Sequence, residues 1–273
     1  MSLYTFHDSV TSSGGVNYRG RGWTPELWNS IPFPVIRDNP ALGFTAFDDF
    51  IGTHTGTTTT GVGGAYTLTA IAGTPTIAMD NAHGGTATAT AAAATDTHGF
   101  IINPGSATAA FVTPAAGRRI AFEILVKQTL QTVTLGSCFI GLATQATGMS
   151  TTGALTANDY IGFQCLDSDD LKFTYLNQGA TLYVDSTKIT DVVSAQYYRL
   201  GFLIDGLNSV TPYINGTRLT PIVATSTKSI PDAVMNVTWQ DVSGGGTGTP
   251  TMTVDWWRFA CYEENQTYLI STY

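Results

Sequence analysis

Charge is what this chain has least of. Of its 273 residues only 12 are Lys or Arg and 20 are Asp or Glu, so charged side chains make up 12% and the net charge is −8. The usual charged share is about 25%. An acidic chain gains no counterion-release affinity for a phosphate backbone, and its nearest approach to a basic patch is Arg19 with Arg21. Nucleic acid is not expected as a direct partner. Cysteine is almost as scarce. Cys138, Cys165 and Cys261 are odd in number, far apart and set in apolar runs, without CxxC or Cys/His spacing. They read as buried free thiols made in a reducing cytoplasm. No apolar run reaches the ~18 residues of a transmembrane helix. The start, MSLYTFHDSV, lacks the basic and apolar stretches of a signal peptide. The Asn-x-Thr triplets at Asn215, Asn236 and Asn265 then read as chance in a Thr-rich chain. Catalytic fingerprints are missing as well: there is no GxSxG, P-loop or dinucleotide motif. His7, His54, His83 and His98 are scattered without HxxxH or HExxH spacing. No metal and no cofactor is expected.

Thr, Gly, Ala and Ser fill the gap left by charge, beside 43% hydrophobic residues. β-Branched Thr suits a pleated sheet and disfavours helix. Low charge also suits outer faces covered by partner chains. Residues 1–40 differ from the rest. Gly14, Gly15, Gly20, Gly22, Pro25, Pro32, Pro34 and Pro40 break regular structure. Yet Tyr4, Phe6, Tyr18, Trp23, Trp28 and Phe33 sit among them, and a disordered tail is poor in aromatics. The expectation is an extended N-terminal arm that docks on its own domain or on another subunit. Arg19, Arg21, Trp23, Trp28 and Phe33 are its candidate assembly contacts. Residues 41–273 form the remaining domain.

That domain reads as strands. Residues 44–52 are a strand running into a loop, and TATAT within 84–95 is a strand with small residues on one face. From 118 onward the signal strengthens: Ile120, Phe122, Ile124 and Val126 alternate, as do Leu171, Phe173 and Tyr175, then Tyr198, Leu200, Phe202 and Ile204. Asn215-Gly216 supplies the two positive φ angles of a type I′ hairpin turn. Short strands separated by Gly, Asn, Asp and Ser turns predict an all-β antiparallel sandwich or jelly roll.

YYRLGFLIDGLNSVTPYINGTRL at 197–219 and MTVDWWRFACY at 252–262 resemble the concanavalin A-like or laminin-G-like jelly roll, through Asp205-Gly206, Asn215-Gly216 and Asp255-x-x-Arg258 in that order. FDDF within 46–52 and FEILVK at 122–127 resemble tailed-bacteriophage virion proteins. The resemblance implies a non-enzymatic capsid decoration or cement protein on the virion surface. It would be a homo-oligomer, a trimer favoured, bound to the major capsid protein or other virion proteins, with no membrane contact. The alternative is a glycan-binding module or receptor-binding fibre head. Glycoside hydrolases of the superfamily carry a Glu-x-Asp-x-x-Glu strand, which is absent. Asp167 and Asp169 have acid-x-acid spacing but sit between strands, and Asp167–Asp170 is read as a solvated turn, with calcium as the other possibility. Trp239, Trp256, Trp257, Tyr197, Tyr198 and Tyr213 are candidates for core packing, an interface or a sugar platform.

Overall fold

The structure is a computed structural model. It describes residues 23–29, 31–50, 66–80, 85–93, 98–105, 111–129, 137–144, 150–151, 154–155, 159–166, 170–177, 183–184, 188–243 and 249–263. The principal strands are β1 (Gly43–Asp48), β2 (Tyr66–Ala72), β3 (Thr76–Asp80), β4 (Thr86–Thr90), β5 (Gly99–Pro104), β6 (Arg118–Thr129) and β7 (Ser137–Ala143). They continue with β8 (Tyr160–Leu166), β9 (Asp170–Leu176), β10 (Tyr197–Asp205), β11 (Ser209–Ile214), β12 (Asn236–Val242) and β13 (Thr251–Glu263).

Two antiparallel sheets pack face to face. The first runs β11-β10-β6-β13-β4-β3, with β1 beside the second half of β13. The second runs β9-β8-β7-β12-β5-β2. Neighbours distant in sequence lie side by side, as the crossovers of a jelly roll require. The alternation expected at 118–127 places Ile120, Phe122, Ile124 and Val126 in the core between the sheets, and Tyr198, Leu200, Phe202 and Ile204 face them from β10. Asn215 and Gly216 have φ of 50° and 84°, the double positive turn that their sequence demands. In TATAT, Ala87 and Ala89 enter the core while the Thr88 hydroxyl lies 3.0 Å from that of Thr253.

Position 255 breaks the register of β13 against β6 between Val254 and Trp256. An inserted residue of this kind re-aims the side chains after it. Trp257, like Val254, lies in the core, and Trp256 lies on the opposite face. The Trp257 indole donates to Tyr66 Oη at 2.7 Å, and Tyr66 donates to Asp48 Oδ2 at 2.5 Å. Asp48 also accepts from the Phe50 amide at 2.7 Å. Burial, with Asp48 beside it, pushes the Tyr66 phenol far up, so it stays a donor.

Residues 23–42 correct the expected extended arm. They form α1 (Pro25–Trp28), α2 (Phe33–Asp38) and a 3-10 turn at Pro40–Leu42. Pro25 at the helix start and Glu26 in its first turn suit the N-terminal end of α1. Leu27, Trp28, Ile31 and Ile36 are buried on the outer face of the first sheet against Ala121, Tyr213, Ala260 and Tyr262. Trp28 is thus a contact within its own domain, and Phe33 stacks on it at 5.8 Å. Trp23 lies 4.3 Å from the Arg258 guanidinium. The physical reason is Glu123, which supplies a buried acceptor under α1. Arg19 and Arg21 lie outside the described residues.

Candidate functional site

On β12 the residues alternate strictly. Val237 and Trp239 point into the core, and Asn236, Thr238 and Gln240 point out. An outward strand face with polar side chains normally meets water. Here Asn236 is 3% exposed and Thr238 and Gln240 are 0% exposed. The second sheet therefore carries a buried polar layer on its outer side.

Register builds this layer row by row. One row reads Lys172, Gln164, Phe139, Gln240, Ile101, Thr69 across β9, β8, β7, β12, β5 and β2. The next reads Thr174, Gly162, Gly141, Thr238, with Asn103 beside Thr238. A third reads Leu176, Tyr160, Ala143, Asn236. The middle row has no side chain at Gly141 and Gly162, and the Phe139 ring lies over Gly162, its Cζ 2.9 Å from where a Cβ would sit. A Cβ on Gly141 would fall 2.2 Å from the Ile161 carbonyl oxygen. Gly141→Ala is accordingly expected to cost about 2–3 kcal/mol. Urea unfolding measures this, and an unchanged midpoint would show that the strands do not need so close an approach.

The hydrogen bonds in the layer are incomplete. Asn103 Nδ2 donates to the Val237 carbonyl at 2.9 Å and to Thr238 Oγ1 at 2.7 Å. Thr174 donates to the Tyr160 oxygen, which partly offsets the burial that pushes this phenol up to about 12. Among the described residues, Asn103 Oδ1 and both amide atoms of Gln240 have no hydrogen-bond partner. A buried amide left without partners costs about 1–3 kcal/mol. Phe139 and Tyr160 pack edge to face with ring centroids 5.6 Å apart, in a buried apolar cluster with Ala143 and Leu176. The three rows contain no acidic residue, and their one cation is Lys172 at the end. The layer offers neutral donors and acceptors beside aromatic carbon.

The residues singled out in the sequence fall elsewhere. Trp239 and Trp257 face each other in the core at 6.3 Å, and Tyr198 is core as well. Tyr197 lies under the Lys127 ammonium, and Tyr213 is covered with the helices. None of these aromatics belongs to the three rows. Of the candidate calcium turn, residues 167–169 lie outside the described residues. Asp170 is ion-paired with Lys188 at 3.0 Å, and Lys188 also pairs with Asp191. Among the described residues no group of three or more His, Cys, Asp or Glu is placed to hold a metal ion.

The shape of the sandwich has solved counterparts. A protein of unknown function from Shewanella oneidensis MR-1 superposes with a TM-score of 0.52 at 15% identity, over 82% of this chain and 88% of that one. Peanut lectin, solved with a nine-residue peptide, gives 0.50 at 10% identity over 80% and 97%. The carbohydrate recognition domain of Emp47p gives 0.50 at 9% over 81% and 97%. The fold is a lectin-like, concanavalin A-like jelly roll. No protein-family model matches the sequence, and no curated protein matches it either.

Proposed function

We propose that this protein binds a neutral carbohydrate on the outer face of its second sheet, without turning it over. The observation that carries the reading is the Gln240 amide, 0% exposed with neither atom partnered. An amide that presents one acceptor and two donors is completed by a hydroxyl-rich, uncharged ligand. Asn103 Oδ1 asks for a further donor, and Phe139 with Tyr160 suits the C–H face of a sugar ring. The lectin-type neighbours support this reading at the level of fold. A capsid decoration role, the first expectation from the sequence, draws no support from them. The layer has almost no exposed surface, so association is expected to be slow.

The test sets binding against stability. Gln240→Leu removes the unpaired amide and keeps the volume. It is expected to raise stability by about 1 kcal/mol. It is also expected to weaken retention on neutral glycans more than tenfold, read on a glycan array and then by calorimetry with the best hit. An amide that serves only the fold would show the reverse: lost stability and unchanged binding. Absence of any neutral-glycan binding by the wild-type protein would sink the reading outright.

A further inference from the structure

Sequence spacing sets the three cysteines far apart, but the sheet register does not. Cys138 on β7 and Cys165 on β8 are direct cross-strand partners. Both side chains lie in the core between the sheets, at 3% and 1% exposure. Directly opposed residues in an antiparallel pair have Cα atoms about 4.5–5.5 Å apart, inside the roughly 4.4–6.8 Å span of natural disulfides. The two thiols already touch as a hydrogen-bonded pair. A void of about 20 Å³ borders Cys138, with Gln128, Val192 and Tyr198 among its walls, so small side-chain shifts are accommodated. Cys261, the third thiol, is on β13 in the other sheet.

We infer that Cys138 and Cys165 form an intramolecular disulfide when the chain folds under oxidising conditions, and that it staples β7 to β8 without changing the fold. The oxidant is a small disulfide such as glutathione disulfide. One cysteine thiolate attacks it, forming a mixed disulfide and releasing one glutathione thiolate. The second cysteine thiolate then attacks the protein sulfur of that bond and releases the second glutathione. Two cysteine S–H bonds become one S–S bond, and the two protons end on two reduced glutathiones. The chemistry belongs to folding rather than to the native state. Once buried, Cys138 is held as a thiol by its contact with Cys165 and by desolvation, with Asp241 adding to both, and thiolate is the reactive form.

The full chain is unfolded and refolded in a glutathione/glutathione disulfide buffer, and in parallel with excess reductant. Free thiols are alkylated and the products mapped by mass spectrometry. The expected result is a crosslink between Cys138 and Cys165, a mass lower by two hydrogens, and an alkylated Cys261. The oxidised form should melt about 5–10 °C above the reduced one. The Cys165→Ala chain should show no intramolecular crosslink. Native reduced protein should exchange with glutathione disulfide far more slowly than refolding protein. No crosslink after oxidative refolding, a crosslink that includes Cys261, or an oxidised form that melts below the reduced one each overturns the proposal. Glycan binding takes no part in this readout.

Discussion

Replacing Glu123 by alanine is expected to release the helical segment at residues 23–42 and to cost about 3 kcal/mol. Glu123 is 0% exposed on the outer face of the first sheet. Its carboxylate accepts from the Thr24 amide at 3.0 Å, from the Thr24 hydroxyl and from the Trp28 indole at 2.5 Å. Arg199 Nε stands 3.7 Å away. Burial pushes the Glu123 carboxyl up, while these donors and Arg199 pull it back. Gly201, the cross-strand neighbour of Glu123, has no Cβ; one placed there would meet Leu27 Cδ2 at 2.9 Å. The glycine is therefore the seat of α1, and the carboxylate is its latch. Over them Arg258 spans the rings of Trp23, Trp28 and Phe47 at 4.3, 5.3 and 5.1 Å. Removing one partner of a buried charged network leaves the others unpaired, at about 3–5 kcal/mol. Urea unfolding reads the loss, and limited proteolysis reads where it falls. New cleavage inside 23–42, with the sandwich intact, is the expected pattern. An unchanged midpoint together with unchanged proteolysis would mean that these helices draw nothing from Glu123.

This latch shows where the sequence is legible and where it is not. β6 and β10 declare themselves because their alternation is local and one face is apolar. The Asn215-Gly216 turn does so because few residue pairs tolerate two positive φ angles in succession. In the segment at 23–38 a short turn near Thr24–Asn29 is legible, but its docking on the sheet and the second helix are not, for a physical reason. Pro32 and Pro34 argue against a long helix, but they do not forbid two helices of four and six residues. What holds α1 is a carboxylate 99 positions away from Thr24 in the chain. The buried polar layer fails to announce itself for a similar reason. Asn236, Thr238 and Gln240 alternate with Val237 and Trp239 as any half-exposed strand would, and burial of the polar face depends on long-range structure. The signal in the sequence was the character of that face: amides and a hydroxyl rather than Lys and Glu. The opposition of Cys138 to Cys165 is a matter of register alone, which the spacing of 27 between their numbers conceals.

Register also sets Asp241 opposite Cys138, on the core side of β12. This carboxyl is 2% exposed, and desolvation raises it well above the usual range, against the opposing pull of Gln128 and the Val242 amide. Gln128 Nε2 donates to Oδ1 at 2.9 Å, and Oδ2 has no hydrogen-bond partner among the described residues. The folded protein thus holds a proton that the unfolded chain releases at an ordinary carboxylate pKa. Between that ordinary value and the raised folded value, the native state binds more protons, so stability falls as pH rises. The slope approaches about 1.4 kcal/mol per pH unit for this one group. Asparagine has the same shape, keeps the acceptor for Gln128 and has no proton to lose. Asp241→Asn should therefore match the wild type near pH 4 and become progressively more stable than it as pH rises toward 7.5. The raised carboxyl of Glu123 tilts both proteins in the same direction and cancels in their difference. Urea midpoints for the pair at pH 4.5, 6.0 and 7.5 supply the measurement. Parallel stability curves would show that Asp241 is ionised in the fold, and a destabilised Asn variant at pH 7.5 would show that the charge itself is held by partners.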